Sequence, residues 1–188
     1  MTTIMSFYSG SARKSFFIAL SMAMGLFIYG YFLPKCDDQI AQFLNFLPFK
    51  FPVPFHPIVV HFPVALFISA VLFELVGLIF HKESLQKTAF QLYIFATLIT
   101  PWIVVTGLLE ADRLNLHHPL LEAHQKFAFL TMWVSLMSLP VVWVIRREFT
   151  KYFPVIFLVV LIVTAGGVIL TGDRGGHMVY EYGVGMRN

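Results

Sequence analysis

The chain of 188 residues carries seven histidines and a single cysteine. Imidazole is the side chain best suited to hold a transition metal or the iron of a haem. His56, His61, His117, His118, His124 and His177 lie around the ends of apolar runs that share one side of the chain's path, and only His81 stands apart. His61 falls about one turn inside its run, and His124 follows Pro119 by five residues. Glu110, Asp112 and Glu122 are close to these histidines in sequence and add oxygen donors. The chemistry on offer is therefore an axial imidazole pair for haem, or a nitrogen/oxygen site for copper, zinc or iron. Cys36 alone excludes an internal disulfide and a thiolate cluster, and without Cys-X-X-Cys-His there is no covalent haem attachment. Serine-hydrolase, Walker and dinucleotide-binding signatures are absent, and an electron-transfer or complex subunit is expected rather than a stand-alone enzyme.

The elements that must position these residues are membrane helices. Hydrophobic residues make up 58% and charged residues 12%, against about 25% charged in a soluble domain. Disorder, a secreted disulfide scaffold and an ordinary cytosolic enzyme are excluded. Five runs are long enough for a bilayer core of about 30 Å, which takes roughly 20 helical residues: Ser15 to Leu33, Pro57 to Phe80, Thr88 to Leu109, Pro119 to Ile145 and Tyr152 to Thr171. The expected fold is all-α: a four-helix transmembrane bundle over 56–172, preceded by a signal-anchor-like helix within 1–33. A Pro/Phe-rich outer linker covers 34–55, and a Gly-rich outer tail covers 173–188, with Gly175 and Gly176 in a turn that stops the last helix. No internal repeat is legible.

Charge sets the expected orientation. Arg13, Lys14, Lys82, Lys87, Arg146, Arg147 and Lys151 flank one set of helix ends with few acids, which places that side in the cytoplasm. The N-terminus is then inside and the C-terminus outside. The net charge of +3 thus reflects topology, and nucleic acid is not an expected partner.

Helical phase suggests which faces turn inward. Small or polar residues recur at helical spacing through His61, Ala65 and Ser69; through Thr97, Thr100, Val104, Gly107 and Ala111; through His124, Ala128, Thr131, Ser135 and Ser138; and through Thr164, Gly167 and Thr171. Such stripes let membrane helices approach closely. On this reading His61 and His124 point into one interior at similar height. The blander account is that these stripes are packing surfaces alone and the histidines hydrogen-bond a neighbouring helix. Glu74 lies about 27 Å along the helix from His56, so it belongs to the inner end, where Lys82 or a donor on a neighbouring helix is its expected partner.

Two motifs bear a resemblance. The opening His56-Pro57-Ile58-Val59-Val60-His61-Phe62-Pro63 and the ending Thr171-Gly172-Asp173-Arg174-Gly175-Gly176-His177-Met178-Val179-Tyr180-Glu181-Tyr182-Gly183-Val184-Gly185 resemble a bacterial membrane family catalogued as domain of unknown function 2231. Thr106-Gly107-Leu108-Leu109-Glu110 and His124 add to the likeness, which covers roughly Phe55 to Met186. The resemblance implies a four-helix membrane unit, with the family's opening histidines at His56 and His61 and its helix-start histidine at His124. Fusion of some relatives to cytochrome c-like domains implies haem or electron transfer. This chain departs from the commoner tail, having Tyr182 where a histidine often stands and His177 after the double glycine.

The leading expectation is a b-type haem protein that transfers electrons near the outer face. His61 and His124 would be its axial ligands, Gly107 and Ala65 would make room, and Phe62 and Phe127 would pack on the porphyrin. A histidine-based metal site would draw on His61, His124, His56, His177 and Glu110. A third expectation is an anchoring subunit of a larger complex with no cofactor. Partners would be the lipid bilayer and a membrane or periplasmic protein such as a cytochrome or respiratory complex. The orientation predicts that a periplasmic reporter fused after Asn188 is active; activity of a cytoplasm-only reporter at that point would reverse it.

Overall fold

A computed structural model of the chain describes residues 14–22, 24–25, 55–114, 118–148 and 151–184. The described residues are helical, without strands: α1 (14–22), α2 (His56–Val59), α3 (His61–Ile79), α4 (Glu83–Arg113), α5 (Pro119–Glu148) and α6 (Phe153–Tyr180). Four helical spans are long and apolar enough to cross a membrane, with α2 and α3 running on as one, His56–Ile79. Among the described residues the fifth span expected over Ser15 to Leu33 is not supported: α1, 14–22, is too short to cross, and residues 26–33 lie outside the description. Most of the Pro/Phe linker and the loop carrying His117 lie outside the described residues.

The helices form two antiparallel hairpins, α2/α3 with α4 and α5 with α6, which pack through α3 on α6 and α4 on α5. The first hairpin turns tightly. His81 adopts φ 53, Lys82 N–H donates to Gly77 C=O at 2.9 Å, and His81 N–H donates to Leu78 C=O at 3.4 Å. This is a Schellman-type helix end with histidine in the left-handed position usually held by glycine. Gly77 is needed beside it, since a Cβ there would stand 2.8 Å from Gln86 Cγ.

Phe67, Phe90, Tyr93, Phe153 and Phe157 build the core of the bundle. Their rings meet edge to face at 5.5–5.9 Å, except for the stacked Phe153–Phe157 pair at 5.2 Å. Tyr93 binds α4 to α5: its hydroxyl donates to Ser135 C=O at 3.2 Å and shares a hydrogen bond with Ser138 Oγ. Thr100 and Thr131 bond within their own helices, to Ala96 C=O and Phe127 C=O, whereas the buried Thr97 hydroxyl has no hydrogen-bond partner among the described residues. The outer faces are apolar, with Ile68, Leu72, Val76 and Trp102 exposed where lipid would lie.

The last helix does not stop at its double glycine. It continues through Gly175 and Gly176 to Tyr180, and the left-handed residue beyond it is Gly183, at φ 65. The tail expected from residue 173 therefore begins as helix. Its glycines serve close packing where they face a neighbour. A Cβ at Gly167 would lie 2.5 Å from Thr131 Oγ1, whereas one at Gly166 meets nothing within 4 Å. Gly167→Ala should therefore destabilise the bundle by about 1–3 kcal/mol. Gly166→Ala should leave thermal unfolding in detergent unchanged or raise its midpoint, and an equal response from both would contradict this packing.

Candidate functional site

The buried face of α3 reads Pro63, Phe67, Ala70, Glu74 and Gly77. Stepping two turns back from Pro63 arrives at His56, so the histidine that turns inward is His56. His61, Phe62 and Ala65 occupy the opposite, exposed face. The expectation that the stripe His61, Ala65 and Ser69 faces the interior is thus corrected. Bulky aromatic packing at Phe67, with Ala70 beside it, decides the inward face, and small residues on the other side face outward.

His56 and His124 meet at one end of the bundle with ring centroids 6.4 Å apart and planes at 87°. Their second-nitrogen contacts define both tautomers. His124 Nδ1 lies 2.9 Å from Thr171 C=O; a carbonyl only accepts, so this nitrogen carries the proton. His56 Nδ1 lies 3.0 Å from Thr106 Oγ1. The Thr106 hydroxyl gives its own proton to Ile103 C=O at 2.7 Å, so its oxygen accepts from His56. Assigned in this way from their partners, both neutral rings keep the Nε2 lone pair for a ligand.

Each ring also lies against a glycine of the second helix of its own hairpin. A Cβ at Gly107 would stand 2.9 Å from His56 Cε1, and one at Gly175 would stand 3.3 Å from His124 Cε1. The two halves repeat this arrangement at equal chain distance, from residue 56 to 107 and from 124 to 175. The sequence gives little sign of the repeat because so few positions outside the pair match.

The other candidates do not gather around the pair. Glu110 acts on His56 electrostatically but is bonded to Arg113, with Nη2 donating at 2.5 Å and Nε at 3.3 Å. His177 is half-exposed on α6 and lies 2.9 Å from Glu181 and 3.5 Å from Asp173. Phe127 is half-buried with the Arg174 guanidinium 6.0 Å from its ring centroid. His118 accepts from Leu120 N–H at 3.2 Å at the start of α5 and lies against Tyr182. Among the described residues, no group of three or more His, Cys, Asp or Glu is arranged to hold a metal ion.

The profile described as "Predicted membrane protein (DUF2231)" matches residues 52–188. The chain belongs to this family. No curated protein and no solved structure matches it. The matched stretch of the DUF2231 chain includes both hairpins and both inward histidines.

Sequence reasoning placed His124 in the interior, gave His56 a place only among candidate metal ligands and Gly175 only a turn, and assigned no role at the pair to Thr106 or the Thr171 carbonyl. Glu74 was the available signal for His56, since the two share one helical phase. The site predicts that nitrogen-15 spectra of histidine-labelled protein at about pH 8, above the usual imidazole pKa of about 6.5, contain two Nδ1–H tautomers. His56→Asn and His124→Asn should each remove one, and Nε2–H forms at both positions would contradict the assignment.

Proposed function

We propose that this chain is a membrane-embedded b-type haem protein that passes electrons near the outer face of the bacterial inner membrane, with His56 and His124 as the axial ligands. The observation that carries the reading is the pair itself: two imidazoles on facing hairpins, both with Nδ1–H engaged and no hydrogen bond at Nε2 among the described residues. Ligating histidines characteristically donate their other N–H to a carbonyl or similar acceptor, which fixes the tautomer and the ring orientation.

The donor set fits. A bare zinc or copper ion needs more than two protein donors for a stable site, whereas haem brings four nitrogens of its own and asks the protein for one or two axial ligands. When bound, haem supplies a one-electron couple. The chain's own residues hold the rings: Thr106 and the Thr171 carbonyl fix their tautomers, while Gly107 and Gly175 leave space for them against the neighbouring backbone.

The pair lies near one end of the spans, where a carrier could approach. The opposite end carries Lys82, Lys87, Arg146, Arg147 and Lys151, which supports placing that end in the cytoplasm. A cytochrome or another respiratory protein on the outer side is the partner class this arrangement suits.

The test is the reduced-minus-oxidised optical spectrum of purified protein expressed with ample haem. Wild type should give a sharp low-spin band. His56→Ala and His124→Ala should each lose or convert it, and His61→Ala should keep it. Wild type that takes up no haem, or both inward variants with wild-type bands and haem content, would defeat the reading.

A further inference from the structure

Glu74 is 0% exposed, and neither carboxylate oxygen has a hydrogen-bond partner among the described residues. The expected bond to Lys82 does not form; Arg146 acts on the carboxyl electrostatically, with its own guanidinium over the Phe90 ring at 4.0 Å. A carboxyl at membrane depth is costly, and such groups mark ion or proton pathways.

What lies beyond Glu74 is a column of hydroxyls. Gly77 against Gln86 and His56 against Gly107 set the register of α3 on α4. That register puts Glu74 about one helical turn from the level of Tyr93. From Tyr93 and Ser138, which share a hydrogen bond, the interior continues turn by turn through Ser135 and Thr97 to Thr131 and Thr100, the last four all buried. About two further turns separate these from the histidine pair. Ordinary interhelical packing accounts for scattered hydroxyls, but it gives no reason for a buried carboxyl without a hydrogen-bond partner below a series of them that includes a second buried group without one, Thr97.

We propose that the bundle interior is a proton path, with Glu74 as the proton-exchanging group at the Arg146 end and the hydroxyl column leading from it to the histidine end. A proton taken by a Glu74 oxygen from water at the Arg146 end is handed on as each hydroxyl turns from any helix carbonyl it bonds at rest, accepts one proton and releases another. At the histidine end Glu110, close enough to influence His56 and partly open to solvent, receives the proton and returns it to water. No covalent bond other than those to hydrogen changes, and no oxidant or reductant is consumed. The path is independent of the haem reading, because it can be followed in protein free of haem.

The full chain is reconstituted into phosphatidylcholine–phosphatidylglycerol vesicles with a trapped pH-sensitive dye, and a potassium gradient with valinomycin drives proton entry. Wild-type vesicles should acidify several-fold faster than protein-free ones, and Glu74→Gln should fall to the protein-free rate while keeping wild-type helicity and elution. Wild-type protein no faster than empty vesicles, or folded Glu74→Gln at the wild-type rate, overturns the proposal. Should Glu74→Gln fail to fold, Tyr93→Phe decides: it keeps the ring in the core, so loss of flux supports the path and wild-type flux overturns it. Absence of a haem band in the same preparation bears on the ligand reading alone.

Discussion

Inside a bilayer a polar group finds its partner within the protein or goes without, and this constraint orders the bundle from one end to the other. Thr100, Thr131 and Thr164 turn their hydroxyls back onto carbonyls of their own helices. Tyr93 reaches across to α5. The two inward imidazoles place one nitrogen each on an acceptor from the neighbouring helix. These bonds are modest singly, since interhelical hydrogen bonds in membranes average about 0.6 kcal/mol. Their larger effect is to fix rotation: turning α5 out of register would strand His124 and Ser135 together.

The same rule explains what could be read from sequence. Span lengths follow from composition, so the four crossing helices among the described residues were legible from apolar runs, which also suggested a fifth that is not supported. The interior stripes through Thr97 and Thr100, through Thr131 and Ser135, and through Thr164 were legible too, because each mixes small and polar residues at helical spacing. The first span misled because its small residues, Ala65 and Ser69, do not lie on its packing face. Phe67 fills the core there, and in a lipid environment apolar residues fit equally well on either side of a helix. Hydrophobicity carries no direction in such a span; the one ionisable residue with a reason to hide, Glu74, does.

The glycine-rich ending misled for a related reason. In water a double glycine after an apolar run is a helix stop, because its conformational freedom favours the left-handed cap. Here α6 continues through it, and Gly175 gives room to an imidazole. Close approach, not chain reversal, is what that glycine provides. The tight reversal between α3 and α4 is made instead around His81, a residue type that would not be chosen for the task from propensity alone.

The matching geometry of the two hairpins has a consequence for how the halves differ. Both begin at the same end of the bundle, so they relate as parallel repeats about an axis along the membrane normal. Two identical copies of one hairpin around such an axis would supply the same pair of imidazoles, but every other feature would be doubled as well. Joining the halves in one chain lifts that requirement. At the position corresponding to Glu74, the second hairpin carries the buried Val142. A symmetric assembly would face two carboxyls across a dry interior, each raising the cost of the other. The fused chain keeps the two-fold arrangement where paired ligands need it and abandons it where a single acidic group can stand alone.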